Sequence, residues 1–134
     1  MPADPLCPCG TARKYAVCCG PYHAHATAPD TAEALMRSRY SAFVMNDATY
    51  LLETWHASTR PASLDLAREP ATRWLGLKIT ACVAGSGNDP AGTVEFIARF
   101  KVGGRAARLH EVSRFVRQDG CWFYVDGTSP REAN

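Results

Sequence analysis

Four cysteines lie close together near the start of the sequence, spaced Cys-x-Cys, eight residues, then Cys-Cys. They are Cys7, Cys9, Cys18 and Cys19. Four thiolates suit the closed tetrahedral geometry of structural Zn²⁺, and the segment between them contains no carboxylate of the kind that catalytic sites use. The alternative is a set of free or redox-active thiols, which is less favourable because adjacent cysteines form a strained disulfide. We therefore expect these residues to bind structural zinc.

The segment around these cysteines has no apolar periodicity. Residues 1–29 are rich in Cys, Pro, Gly and His, so we predict an irregular zinc-binding segment that ends in the linker Ala24–Pro29. Metal binding contributes about 10–16 kcal/mol in small zinc peptides, which is enough to order so short a segment without a core of its own. Residues 30–134 then form a second unit, which must supply the hydrophobic core.

Composition places the chain among globular proteins. It has 134 residues, 46% of them hydrophobic and 21% charged, and neither an apolar run of membrane-spanning length nor a secretory signal pattern appears. We expect a cytoplasmic protein in which disulfides are not formed. The two remaining cysteines, Cys82 and Cys121, are expected to be buried structural thiols rather than reactive ones.

The second unit changes its hydrophobic period part of the way along. Apolar residues recur every three or four positions over 31–45 and again over 48–56, which predicts two helices, the first capped by Asp30 with Glu33. From Trp74 the period is two, and Gly103-Gly104 and Asp119-Gly120 mark hairpins between strands. Helices followed by a four-stranded antiparallel meander indicate an α+β domain.

Several segments resemble known families. Cys7-Pro8-Cys9-Gly10 through Cys18-Cys19-Gly20 resembles the SEC-C motif, the zinc-binding tail of the SecA preprotein translocase, with Thr11-Ala12 in place of the usual Ser-Gly. Five further segments make nearly the whole chain similar to the bacterial YchJ family: 20–23, 35–43, 54–56, 74–77 and 113–127. This resemblance implies that the helices pack on a curved antiparallel sheet in the cone-like fold of the nuclear transport factor two superfamily (cystatin-like), without implying a reaction.

A pocket of mixed aromatic and polar character could form inside such a cone. The candidate residues are Arg39, Tyr40, Trp55, His56, His110, Arg114 and Tyr124. Arg39 lies on the apolar stripe of the first helix, where a charge needs a partner. That partner is either an anion in the cone or a carboxylate such as Glu111 or Asp126. His56 has helix capping as its default role, and only one of the adjacent His110 and Glu111 enters the concave side.

Basic residues crowd the stretch 99–117, opposed there only by Glu111. We interpret them as a solvated sheet face, because binding of nucleic acid needs several charges aligned on one surface. The formal charge of +2 falls to about zero once four thiolates and one Zn²⁺ are counted. Nucleic acid and membrane are therefore not expected partners.

Three hypotheses remain open at this point. The first is a binding or adaptor protein, whose zinc knuckle docks to a protein partner and whose cone holds a small ligand. By similarity to the translocase tail, that partner would be a secretion chaperone or the ribosome. The second is an enzyme acting on a small molecule in the cone, with Tyr40, His56, His110 or Arg114 supplying acid, base or anion contacts. The third is that zinc only tethers the N-terminus.

Overall fold

The computed structural model describes residues 5–66 and 72–129. A 3-10 turn (Tyr15–Val17) and three helices come first: α1 (Gly20–His23), α2 (Ala32–Val44) and α3 (Ala48–Glu53). They are followed by β1 (Thr72–Ala84), β2 (Ala91–Val102), β3 (Arg105–Gln118) and β4 (Cys121–Thr128). The strands form one curved antiparallel sheet in the order β1-β2-β3-β4, which confirms the predicted α+β class. No helix in the described ranges is long and apolar enough to cross a membrane.

Side chains alternate in direction along each strand, so the sheet has an inner face, covered by α2, and an outer face. Val94, Phe96 and Ala98 of β2 are buried on the inner face, together with Phe115 of β3 and Trp122 of β4. They pack against Leu35, Met36 and Tyr40 of α2. Residues of the other parity, such as the paired Arg99 and Arg108, lie on the outer face. The main core therefore lies between α2 and the sheet, and a second, smaller cluster of Ala42, Tyr50 and Leu51 packs between α2 and α3.

Helix α2 begins one residue later than the sequence pattern predicted. Its N-cap is Thr31, whose Oγ1 accepts a hydrogen bond from the Ala34 N–H at 3.0 Å, so the predicted cap at Asp30 is wrong. The Asp30 carbonyl instead accepts a hydrogen bond from the Trp122 indole at 3.2 Å. This bond ties the entry to α2 onto strand β4.

Helix α3 ends at Glu53, three residues before the predicted end. The chain then turns to pair with β4: the His56 N–H donates to the Tyr124 carbonyl at 2.7 Å, and the Tyr124 N–H donates to the Thr54 carbonyl at 2.8 Å. The predicted capping role of His56 is therefore wrong, because its backbone belongs to a strand-like bridge rather than to the helix. Trp55 is placed beside the inner face by this bridge.

The two cysteines outside the N-terminal cluster are exposed, which corrects the prediction that they are buried. Cys82 lies near the end of β1 and Cys121 begins β4, and both strands are edges of the sheet. Residues 80–84 are all exposed, although this end of β1 contacts the start of α2: the Ala32 N–H donates to the Gly85 carbonyl at 2.8 Å, and Cys82 Sγ lies 3.5 Å from Glu33 Oε1. The alternation of residues along β1 did not indicate this exposure.

Candidate metal centre and interior cavity

The four N-terminal cysteines converge on one point. The Sγ atoms of Cys7, Cys9, Cys18 and Cys19 all lie within 4.8 Å of one another, and all four residues are buried. A thiolate-zinc distance of about 2.3 Å places the sulfurs of a tetrahedral site about 3.8 Å apart. Cys9 Sγ and Cys18 Sγ are 3.5 Å apart. The donor set and spacing therefore fit a closed, four-thiolate metal site.

A tight loop brings the first two cysteines to this point. The Cys7 N–H donates to the Arg13 carbonyl at 2.7 Å, and both Gly10 (φ +89°) and Ala12 (φ +65°) adopt left-handed backbone conformations. Thr11 Oγ1 lies 3.1 Å from Cys18 Sγ, so the threonine hydroxyl contacts a ligand sulfur. The loop thus supplies a polar contact to the sulfurs as well as two of the ligands.

The electrostatics of the cluster favour uneven protonation of the thiols. Hydrogen bonds, first from Cys19 and also from Thr11, lower the pKa of Cys9 to about 4, whereas burial raises the pKa of Cys7. The exposed Arg13 guanidinium lies beside Cys18, which raises the pKa of Arg13. A bound divalent cation deprotonates the thiols that coordinate it, so all four cysteines would be thiolates in the metal complex.

The cysteine cluster is attached directly to helix α2. Arg37 Nη1 donates to the Cys9 carbonyl at 2.6 Å, and Cys7 Sγ lies 3.4 Å from Ser41 Oγ. The His23 ring connects the Tyr15 hydroxyl, at 2.6 Å, to the Ser38 carbonyl, at 2.8 Å. These contacts join residues on both sides of the domain boundary that was predicted at residue 29. The boundary itself stays a prediction. The cysteine cluster therefore packs directly on α2.

A cavity of about 160 Å³ lies between α2, Trp55 and the inner face of the sheet. Its walls are mainly aromatic and aliphatic, and they also contain Arg39, Glu111 and Ser113. The aromatic wall consists of Tyr40, Phe43, Trp55, Trp74, Phe96 and Tyr124. An apolar enclosure with a few convergent polar groups is the usual character of a small-ligand site.

Arg39 is the most buried charge of this cavity, with 4% of its surface exposed. Its Nη1 donates to the Leu51 carbonyl at 2.7 Å and to Thr54 Oγ1 at 2.6 Å, and its guanidinium carbon lies 4.5 Å from the centre of the Tyr124 ring. Burial lowers the pKa of Arg39 to about 10. Among the residues described, no carboxylate lies within 4.0 Å of this guanidinium, so the predicted salt bridge with Glu111 or Asp126 is wrong.

Two further donors of Arg39, Nε and Nη2, make no hydrogen bond to any described residue. Arg39 is one of the residues that line the cavity. Its guanidinium carbon lies 5.2 Å from the centre of the Trp55 ring, in addition to the contact with Tyr124. The cavity therefore lies beside a guanidinium that no described carboxylate neutralises.

Glu111 is the acidic residue of the cavity wall. Burial raises the pKa of its carboxyl group, while a hydrogen bond with Ser113 opposes that rise. Its carboxylate occupies the position that a Cβ atom on Gly127 would take, so a side chain at residue 127 would displace Glu111 from its place in the cavity wall. Glu111, and not the adjacent His110, is thus the residue that enters the concave side.

The structure places only part of the predicted pocket set around the cavity. Arg39, Tyr40, Trp55 and Tyr124 line it. His56, His110 and Arg114 lie elsewhere, which corrects the prediction at these three positions. His56 Nε2 is 2.6 Å from Gln118 Oε1, whereas His110 and Arg114 contact acids on the outer face of the sheet.

The corrections in β3 have one physical reason. Side chains alternate between the faces of a strand, so the buried Ser113 and Phe115 place Leu109 and Glu111 on the inner face and their even-numbered neighbours on the outer face. His110 accordingly pairs with Glu95 at 2.7 Å, and Arg114 with Asp126 at 2.6 Å. In the sequence, the signal for Glu111 was the apolar Phe115, because both residues occupy odd positions of β3 and so lie on the same face.

Comparison with known proteins gives two family matches. Residues 31–127 match the model described as YchJ, middle NTF2-like domain, and residues 6–21 match the SEC-C motif. The chain is 56% identical over 132 residues to a UPF0225 protein of Ralstonia nicotianae, covering 90% of this chain and 89% of that protein. It is 53% identical over 127 residues to a UPF0225 protein of Chromobacterium violaceum, covering 93% of each.

Two solved structures are similar along most of the chain. The solution structure of a SEC-C motif containing protein from Rhodopseudomonas palustris has a TM-score of 0.82 at 35% identity, covering 93% of this chain and 98% of that one. The crystal structure of a SEC-C motif containing protein from Psychrobacter arcticus has a TM-score of 0.72 at 31% identity, covering 90% and 80%. The chain therefore belongs to the YchJ family, with an N-terminal SEC-C motif followed by a nuclear transport factor two-like domain.

Proposed function

We propose that this protein is a binding protein whose interior cavity holds a small organic anion and whose metal centre contains structural Zn²⁺. The observation that carries the proposal is Arg39, a buried guanidinium on the cavity wall that has no carboxylate partner among the described residues. Burying a cation is costly unless a counter-charge accompanies it. An anionic ligand would supply that charge together with acceptors for Nε and Nη2.

The cavity wall favours a particular kind of anion. A planar carboxylate matches the geometry of a guanidinium fork, and the aromatic rings around Arg39 suit an apolar or aromatic body. At about 160 Å³ the cavity is smaller than the roughly 300–1,000 Å³ of typical ligand sites. The ligand class is therefore a small monocarboxylic acid rather than a nucleotide or a long lipid.

The zinc assignment follows from the four thiolates. A closed set of four buried sulfurs leaves no position for substrate, so the metal acts in folding. Leu6 and Val17, at 63% and 65% exposed, give the same segment two apolar side chains for contact with a protein partner. A secretion chaperone or the ribosome remains the partner suggested by similarity to the translocase tail. Stoichiometric zinc in protein purified without added metal would support the assignment, and its absence would contradict it.

The ligand proposal can be tested with the tryptophans of the cavity as reporters. Trp55 and Trp74 line it, so intrinsic fluorescence should respond when the protein is titrated with a panel of small carboxylates from acetate to benzoate. Benzamide, the neutral analogue of benzoate, should not bind. Arg39→Gln should abolish the response, whereas Glu111→Gln, which removes a negative charge from the same cavity, should retain or strengthen it. Equal response to acid and amide, or no response to any acid, would refute the proposal.

An enzyme acting in the same cavity is the second candidate, and Glu111 is the observation that favours it. A carboxyl group whose pKa is raised by burial is suited to proton transfer. The hydroxyl groups of Tyr40 and Tyr124 are further candidates for proton transfer on the same wall. Incubation of the protein with a cellular extract of small acids, followed by mass spectrometry, would detect turnover. Depletion of an acid by wild type and not by Glu111→Gln would favour catalysis over binding.

A further inference from the structure

A group of exposed cations lies on the outer face of the sheet, on the side away from α2. The group, here called the outer basic face, consists of Arg73 and Lys78 of β1, Arg99 and Lys101 of β2, and Arg108 of β3. The register brings them together: Arg73 is opposite Lys101, and Arg99 is opposite Arg108. Neighbouring strands are about 4.8 Å apart, so these charges form one continuous patch.

The charges of this patch are not neutralised by any carboxylate of the described residues. In the ranges 5–66 and 72–129, no carboxylate lies within 4.0 Å of any of the five cations. The two acids of the outer face, Glu95 and Asp126, are already paired with His110 and Arg114. An external anion is therefore the available counter-charge.

Two directly opposed like-charge pairs, Arg99 with Arg108 and Arg73 with Lys101, make this arrangement unfavourable for folding alone. Gly76 lies opposite Arg99, and a Cβ atom there would be 3.5 Å from Arg99 Nη2, so the guanidinium lies over the glycine. The guanidinium is thus held at the surface of the sheet rather than extended away from it. Both features are expected of a face that receives an anionic partner.

We propose that the outer basic face binds the phosphate backbone of nucleic acid, independently of the cavity and of its ligand. Three of the five cations are arginines, whose planar fork matches a phosphate group. Nucleic acid was not expected from the sequence, because alignment of the basic residues on one surface could not be established there. The strand register supplies that alignment. Since no aromatic side chain belongs to the patch, binding is to the backbone and independent of base sequence.

The test is fluorescence anisotropy of the zinc-loaded full chain with a labelled 20-nucleotide single-stranded RNA of mixed sequence. About three to four phosphate contacts would weaken binding roughly 20- to 50-fold between 50 and 200 mM salt, from a slope of about 0.7 per phosphate. Arg108→Gln should lower that slope by about one contact. Its matched control is Arg114→Gln, on the same strand and face but paired with Asp126, which should leave the slope unchanged.

If the single substitutions have only small effects on RNA binding, a triple variant tests the proposal. Arg99→Gln, Lys101→Gln and Arg108→Gln together should abolish binding, while circular dichroism shows an intact fold because all three side chains are exposed. Failure of wild type to bind at 50 mM salt overturns the proposal, and so does unchanged binding by the triple variant. Tighter binding to phosphatidylserine vesicles or to polyglutamate than to RNA would overturn it in favour of a membrane or an acidic protein.

Discussion

Ala12 is a non-glycine residue in the left-handed region of backbone space, inside the loop that carries Cys7 and Cys9. Its φ is +65°. For a residue with a Cβ atom this conformation costs about 1–2 kcal/mol. The SEC-C motif that this segment resembles usually has glycine here, and glycine adopts the same conformation without that cost. We therefore predict that Ala12→Gly stabilises the folded protein.

The size of the gain follows from two opposing contributions. Relief of the left-handed conformation contributes about 1–2 kcal/mol, whereas the extra freedom of glycine in the unfolded chain removes about 0.4–1 kcal/mol. Ala12 is exposed, so loss of its methyl group removes little packing. The net gain is about 0–1.6 kcal/mol with a central value near 0.8 kcal/mol, which corresponds to a rise of about 3 °C in Tm for a domain of this size.

Thermal unfolding of the metal-loaded protein, followed by far-ultraviolet circular dichroism, measures this change. Ala16→Gly is the matched control, because Ala16 is also exposed but belongs to the 3-10 turn and lies outside the left-handed region. Glycine there should lower stability by about 0.5–1 kcal/mol. If Ala12→Gly lowers Tm as much as Ala16→Gly does, backbone strain in the loop is not the reason for the effect and the reasoning fails.

Three further predictions concern the metal centre and the cavity. Thr11→Val removes the hydroxyl that contacts Cys18 Sγ and should weaken Zn²⁺ affinity about 10- to 100-fold. Competition with a chromogenic chelator measures this change, and Thr11→Ser should retain wild-type affinity. Arg37→Leu removes the hydrogen bond to the Cys9 carbonyl and should lower the free energy of unfolding in urea by about 1.5–3 kcal/mol; an unchanged midpoint at unchanged slope would contradict this. Burial raises the pKa of Glu111 in the folded protein, so its ionised form lowers the free energy of unfolding above that pKa. This loss disappears as the pH falls to the pKa that Glu111 has in the unfolded chain. Glu111→Gln should therefore be more stable than wild type at pH 7, and urea titrations should show the difference vanishing below about pH 4.

The sequence was sufficient where structure is determined locally. The period of two after Trp74 predicted the strands, and Gly103-Gly104 predicted the hairpin between β2 and β3, where both glycines have positive φ. The cysteine spacing also predicted a set of residues that converge in space. Each of these features depends on the chemistry of residues close together in the chain.

The errors arose where distant segments decide the outcome. The end of α3 is determined by backbone pairing with Tyr124, about seventy positions further along the chain, and no local residue signals it. Strand β3 is an exception, because the apolar Phe115 was a local signal that places residues of the other parity, His110 and Arg114, on the outer face. The partner of Arg39 is likewise non-local, because Leu51, Thr54 and Tyr124 supply it in place of the expected carboxylate.

Helix α2 connects the two sites that the sequence suggested as separate. Arg37 and Ser41 contact the cysteine cluster, whereas Arg39 and Tyr40 line the cavity. Residues two positions apart on a helix point to different sides of it, so one rigid element presents both sets of side chains at once. The contacts of the cysteine cluster with α2 therefore act on the same helix that carries Arg39, although the cluster itself does not line the cavity.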